Sequence, residues 1–228
     1  MSVDVLGVLR QTELLHAAPA MDLQAAAAAS RLRAFRRGQV VFTTGDPGDT
    51  LVVVVSGRIK VVVRSADGAE LTLAIIGPGG TLGELSVADG GTRSADAEAL
   101  EHCQLLLIPR ETIQQVCAHV PAAAQALTRA IAATHRRTIE AVADLVFLDL
   151  PRRVAKVLLS QEASEDGVIV LELRQEELAH QVGASRQSVN ATLRGFQKRG
   201  WIVVHNQAVT VTQSAALGRF AGIPVPET

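Results

Sequence analysis

Glu84 and Arg93 stand nine residues apart in GELSVADGGTRSA (83–95), a stretch of Gly, Ser, Ala and Thr inside a region otherwise rich in Val, Ile and Leu. A carboxylate accepts from hydroxyls and a guanidinium grips an anion. Small residues around them let a ligand approach the backbone closely. The pair therefore predicts capture of a small molecule that carries both hydroxyls and a negative group. A structural ion pair is the competing reading, but exposed pairs contribute little to stability.

A second chemical signature lies in RQEELAHQVGASRQSVNATLRGFQKRGWIVVHNQAVTVT (174–212). Gln175 to Val182 reads as a short helix with Leu178, Ala179 and Val182 turned inward. Gly183-Ala184-Ser185 makes the turn, with Ser185 placed to cap the next helix. Arg186 to Arg199 follows as a helix whose Val189, Leu193 and Phe196 recur at i, i+4 and i+7. Two short strands around Asn206-Gln207 complete a wing. This order predicts a winged helix-turn-helix whose second helix enters the DNA major groove. Residues 186–199 hold four basic side chains and no acid, although the whole chain carries a net charge of −1. Arg186 and Gln187 suit guanine and adenine edges, with Asn190 and Arg194 on the same face. Lys198, Arg199 and His205 suit phosphates. A solvated face that binds protein is the competing reading.

The remaining elements must position these groups. A chain of 228 residues, 48% hydrophobic and 20% charged, is long enough for two modest folded domains. Residues 4–30 read as largely helical. From Gly38 to about Pro109, short apolar runs alternate with turn clusters such as TTGDPGDT and SADGAE, which predicts a β-barrel, roll or sandwich. From Ala122 to Leu150 there is neither Gly nor Pro. Leu127, Ile131, Thr134, Thr138, Ala141, Leu145 and Leu148 recur there with heptad spacing, the seam of two paired helices, so a homodimer is expected. Thr134 and Thr138 are misfits in such a seam unless something bonds to them. Pro151 is expected to end this helix, with a short helix at 152–161, a loop at SEDG and a strand at 168–173. The fold class expected is α+β: an N-terminal β-roll with helices (1–121), a long dimerisation helix (122–150) and a C-terminal winged helix-turn-helix (151–228).

Across almost its whole length the chain resembles the cyclic-AMP receptor protein (CRP/FNR) transcription regulators. GELSVADGGTRSA is similar to that family's phosphate-binding cassette, LVFLDLPRRVAKVLL (145–159) to its hinge, and VGASRQSVNATL to its recognition motif. The resemblance implies that Gly83 and Leu85 shape the cassette and that Glu84 accepts from a ribose 2′-hydroxyl. Arg93 and Ser94 would bind the cyclic phosphate, and Thr138, with Thr134 nearby, would meet the base. The implied effector is cyclic AMP, with cyclic GMP or another nucleotide as alternatives. The implied partners are a near-palindromic duplex DNA site, a second copy of the chain and RNA polymerase. The chain departs from the family at Thr134, where an Arg is frequent, and at Ile139, where Ser or Asn is frequent. Gln187 replaces a frequent Glu, and Ala191 stands where a second base-reading Arg is frequent. Altered affinity, a different effector or a ligand-independent active form follow as alternatives.

A β-roll metalloenzyme would need clustered His and carboxylate ligands. Of six histidines only His102 falls near the β region, and G-x-S-x-G, H-E-x-x-H and Walker sequences are missing. No catalytic residue, metal or cofactor is therefore expected. Cys103 and Cys117 are too few for an iron–sulfur site, and neither Cys103 nor His102 stands in a recognisable haem context. Reduced cysteines, short apolar runs and an acidic N-terminal stretch lead to the expectation of a cytoplasmic protein without a membrane span.

Overall fold

A computed structural model describes residues 3–160, 169–171, 175–205 and 208–223. Contacts divide the chain into two units, 1–63 with 73–138, and 64–72 with 139–228.

The first unit opens with helices α1 (Val5–Gln11) and α2 (Ala20–Ala29). Two antiparallel four-stranded sheets follow. In one, β1 (Arg31–Phe35) pairs with β8 (Cys103–Pro109), β8 with β3 (Thr50–Ser56), and β3 with β6 (Thr81–Leu82). The other runs in the order β2 (Val40–Phe42), β7 (Asp96–Ala99), β4 (Ile59–Arg64) and β5 (Glu70–Ile76). The unbroken apolar run of β3 has a packing cause. Val52 and Val54 enter a core with Phe35, Ile59 and Leu105, whereas Leu51 and Val53 enter a second core with Leu9, Leu15, Leu106 and Ile113. Alternate side chains point to opposite faces, so a central strand covered on both faces carries apolar residues throughout.

Three elements depart from the sequence expectation. The β region begins at Arg31, not Gly38, because β1 is an edge strand whose first four residues are exposed. Charged edges are a common protection against sheet-to-sheet pairing, and they hide a strand from hydrophobic patterning. A short helix, α3 (Glu84–Asp89), lies within the β region. The long helix α5 (Pro121–Phe147), which follows α4 (Arg110–His119), stops before Pro151. Asp149 caps the next helix, α6 (Leu150–Leu159), by accepting from the Arg152 N–H at 3.0 Å. Pro151 thus sits in a first turn, where a missing N–H costs nothing.

The second unit packs α6, α7 (Gln175–Val182), α8 (Arg186–Lys198) and α9 (Ser214–Ala221) with a three-stranded sheet. That sheet has the order β10 (Ile202–His205), β11 (Ala208–Val211), β9 (Ile169–Leu171). Its core joins Val154, Leu158, Leu178, Val189, Leu193, Phe196 and Leu217. Phe196, Trp201 and Phe220 form a ring cluster with centroids 5.4–5.8 Å apart. The second helix ends at Lys198, one residue short of the expected Arg199, which is its C-cap. The SEDG loop, the ends of the 168–173 strand and the wing tip Asn206-Gln207 lie outside the described residues.

Asp149→Ala removes a side-chain cap and is expected to cost the second unit about 1 kcal/mol. Urea denaturation of the purified chain measures it, and an unchanged midpoint would refute the cap assignment.

Candidate functional site

The Arg93 side chain is the centre of the first site. Its backbone is clamped to the turn cluster 43–48: the Arg93 N–H donates to the Asp46 carbonyl, and the Gly45 N–H donates to the Arg93 carbonyl, both at 2.9 Å. The side chain is 4% exposed. Its Nη1 donates to Ser86 Oγ at 3.1 Å, and its Nη2 donates to the Thr50 carbonyl at 2.7 Å and to Thr50 Oγ1 at 2.8 Å. The guanidinium carbon lies 4.3 Å from the centroid of the Phe42 ring, a cation–π distance. Burial lowers the affinity of this guanidinium for its proton, an effect opposed by Asp49, Asp46 and Glu84. Its Nε is buried without a hydrogen-bond partner. A buried donor without an acceptor is costly, and this one is left over among the described residues.

Gly83 makes this arrangement possible. Its φ is +89°, in the left-handed region, and a Cβ built there would lie 2.0 Å from Arg93 Nη1. Only a residue without a side chain meets both demands. Glu84 follows as the first residue of α3 and is 9% exposed. Burial pushes its carboxyl above the usual carboxylate range, opposed by its own and the Gly83 N–H groups, by Arg137 and by Arg93. Among the described residues no ion pair joins Glu84 to Arg93, which removes the structural ion-pair reading.

Gly83, Glu84, Leu85, Arg93, Ser94, Thr134 and Thr138, the seven residues expected at a ligand, all line one cavity of about 460 Å³. Leu85 and Ser94 are exposed at its rim. On the helix side, Thr138 Oγ1 donates to the Thr134 carbonyl at 3.0 Å, and Arg137 Nη2 donates to Thr134 Oγ1 at 3.0 Å. Phe42, His135 and Arg137 also line the cavity, and Ser86 and Thr50 hold Arg93. Sequence reasoning missed all five. For Arg137 a signal existed, since it sits one turn after Thr134 on the same helical face. Nothing in local spacing could have pointed to Phe42 or Thr50, which come from distant strands.

The expected seam divides. Leu127 packs against the core of α1 and α2, and Ile131, Thr134 and Thr138 wall the cavity. Ala141 and Leu148 are half-buried, and Leu145 is exposed. The strongly exposed apolar residues of α5 are Ile139, Val142, Val146 and Phe147, at 54%, 55%, 66% and 79%. Ile139, Val142 and Val146 follow Thr138, Ala141 and Leu145 by one residue each, a rotation of roughly 100° around the helix. The apolar face left open is therefore turned from the one that periodicity predicts, because the first unit consumes part of the predicted stripe.

In the second unit, Val189, Leu193 and Phe196 are buried, which turns the opposite face of α8 outward. Arg186, Gln187, Asn190 and Arg194 line one shallow concave surface together with Ala191. Ser185 spends its hydroxyl on the helix start, accepting from the Ser188 N–H at 3.1 Å. Gly183 takes the tight corner with φ +61°. Lys198 is exposed, and the Arg199 guanidinium lies 4.9 Å from the Trp201 ring, so Arg199 also packs its own unit. His205, at the end of β10, is exposed. Cys103 is buried, its Sγ within 3.3 Å of the Arg58 and Glu101 carbonyls, and burial pushes its thiol up. That is the setting of a packed thiol, not of a reactive one.

A β-roll carrying a buried cation beside a lined cavity, together with a helix-turn-helix presenting a basic helix, defines a DNA-binding protein with a small-molecule domain. Residues 32–120 match the cyclic nucleotide-binding domain model, and residues 152–220 match the Crp-like helix-turn-helix domain model. The chain is 39% identical over 193 residues to the CRP-like cAMP-activated global transcriptional regulator of Mycobacterium tuberculosis, covering 82% of this chain and 86% of that one. To the cyclic AMP receptor protein of Thermus thermophilus it is 31% identical, covering 93% and 98%. Among solved structures, the c-di-GMP-responsive global regulator CLP of Xanthomonas campestris aligns with a TM-score of 0.74 at 25% identity, covering 85% of this chain and 99% of that one. The chain belongs to the CRP/FNR family of transcription regulators. It is a DNA-binding regulator with a cyclic nucleotide-binding domain, not an enzyme.

Gly83→Ala is expected to destabilise the first unit by about 1–3 kcal/mol, through left-handed strain and displacement of Arg93. Denaturant midpoints check it; a neutral result would contradict the close approach.

Proposed function

We propose that the effector is cyclic AMP, bound in the first unit's cavity, and that it controls DNA binding by a homodimer. The observation that carries this reading is one cavity lined together by Arg93, Ser94, Glu84 and the α5 residues Thr134 and Thr138, with the Arg93 Nε buried and without a partner beside it. The cyclic phosphate fits Arg93 and Ser94, and a ribose hydroxyl fits Glu84. Ionised Glu84 is costly in the empty site because it is desolvated, and a donated hydrogen bond offsets that cost. Thr138 suits the 6-amino edge of adenine. Its hydroxyl proton is committed to the Thr134 carbonyl, so Oγ1 presents lone pairs. Lone pairs suit an exocyclic amino donor and repel a carbonyl oxygen.

The division of labour follows. Residues 1–121 hold the effector, the helix of 122–150 pairs with its twin, and 151–228 reads DNA. The exposed stripe of Ile139, Val142 and Val146, with Leu145 and Leu148 beside it, supplies the apolar contact for a second copy. Dimeric readers of this class place two recognition helices about 34 Å apart on a near-palindromic site. A ligand that binds one arrangement of the dimer more tightly shifts the population toward it, and moving from 1:99 to 99:1 takes about 5.5 kcal/mol of differential affinity. Arg186, Gln187, Asn190 and Arg194 read bases, and Lys198, Arg199 and His205 meet phosphates, with Ser185 fixing the helix start. RNA polymerase is the downstream partner, in the cytoplasm. Among the described residues no helix is long and apolar enough to cross a membrane.

Titration calorimetry with cyclic AMP and cyclic GMP tests the effector. The wild type is expected to bind cyclic AMP more tightly, and Arg93→Leu to lose on the order of a hundredfold in affinity. No heat with either nucleotide would sink the reading.

Gln187 offers an amide that suits adenine, whereas a carboxylate suits the cytosine amino group. Gln187→Glu is therefore expected to change the preferred base at one symmetric pair of positions in sites selected from random duplexes. Identical selected sites would show that Gln187 does not read a base.

A further inference from the structure

Arg137 stands on α5 where two cavities meet. Besides the cavity described above, a second of about 220 Å³ is lined by Glu13, Gly79, Gly80, Ala130, Glu84 and Arg137. Glu84 and Arg137 are the charged side chains that line both. Arg137 Nη2 is tethered to Thr134 Oγ1 at 3.0 Å, and Thr134 in turn accepts from Thr138 through its carbonyl. One helical turn therefore carries a cation and two hydroxyls, all lining the cavity that Glu84 lines. Arg93 also acts on Glu84, but less than Arg137 does, and its charge is shared with Asp46 and Asp49.

We infer that Arg137 is a positioning residue of the effector site: from α5 it supplies the positive charge that balances the Glu84 carboxylate and holds it ready for the effector's ribose hydroxyl. The inference rests on the reading of this cavity as a cyclic-nucleotide site. It gives the nucleotide a second route to α5. A ribose on Glu84 acts on the helix through Arg137, just as the base acts through Thr138.

The groups around Glu84 agree with this assignment. Arg137 acts on its carboxylate more strongly than Arg93 does, and both oppose the upward push of burial. His135 faces the first cavity from the same helix. Glu13 faces the second and is engaged by Arg129 at 3.3 Å. Asp46 and Asp49 act on Arg93. The sign of the pH effect follows. Glu84 accepts a hydroxyl proton best when ionised, so affinity falls as the pH drops through its pKa. Removing Arg137 lets burial push that pKa higher, and the fall moves to higher pH.

The test is calorimetry with cyclic AMP from about pH 5 to pH 8, spanning the range of a raised carboxyl, on wild type, Arg137→Leu, Arg137→Lys and Arg93→Leu. Arg137→Leu is expected to lose about tenfold in affinity at neutral pH and to show its acid-side fall at higher pH than wild type. Arg137→Lys is expected to restore the wild-type pH profile. Arg93→Leu should weaken binding across the whole range, since it removes the phosphate contact, and its smaller action on Glu84 should move the acid-side fall less than Arg137→Leu does. Arg137 is exposed, so both variants are expected to keep a cooperative thermal transition, which separates lost binding from a lost fold. An Arg137→Leu profile superimposable on wild type would overturn the proposal while leaving the site reading intact. A Lys variant that folds normally yet behaves like Leu would also overturn it. A wild type that binds no cyclic AMP would overturn both.

Discussion

A guanidinium withdrawn from water is expensive unless every face of it is matched, and the first unit is arranged around meeting that demand for Arg93. Two strands and a helix supply the match: Thr50 from β3, Phe42 at the end of β2, and Ser86 in α3. The turn cluster 43–48 grips the backbone on either side, and Asp46 and Asp49 add negative charge. One guanidinium nitrogen, Nε, is left without a partner. A cation held this way needs no reorganisation when an anion arrives, which is the advantage of a prepared site over a flexible one. Gly83 is part of the same constraint, because any side chain there would occupy the space of the guanidinium.

The second unit solves a different problem. It presents charge to a polyanion and buries almost none of it. Its core is built from one stripe on each of α6, α7 and α8, closed by the cluster of Phe196, Trp201 and Phe220. Turning Val189, Leu193 and Phe196 inward fixes by helical geometry which side chains face out, and those carry the local positive charge. A chain with a net charge of −1 can thus still hold a DNA-reading surface, because the field that matters is local.

Helix α5 links the two problems through a single surface. Its early turns are spent on the first unit, at Ala123, Ala126 and Leu127, and the next turn walls the cavity with Ile131 and Thr134. Only after Thr138 does a strongly exposed apolar stripe appear, at Ile139, Val142 and Val146. A heptad count treats all seven turns alike and cannot register that neighbouring elements take up the first part. The threonines that looked like defects in a seam are consistent with this: at a cavity wall a hydroxyl can find a partner, and in a dry seam it could not.

The sequence alone determined the order of modules, the helix-turn-helix with its capped second helix, and the gathering of Gly83, Glu84, Arg93 and Ser94, because these depend on local patterns and on a short contiguous segment. It also determined that β3 is apolar throughout, though not why. Tertiary structure decided the rest. Strand β1 is written in arginines because it is an edge. Pro151 opens a helix because Asp149 happens to cap it. Of the partners of Arg93, Thr50 lies 43 residues away on β3 and Phe42 on β2 of the other sheet, and Arg137 comes to line the same cavity as Glu84 only because α5 packs against it. Local propensity sees neighbours along the chain. Burial, charge balance and the face a helix has left to offer are set by neighbours in space, and those exist only once the chain has packed.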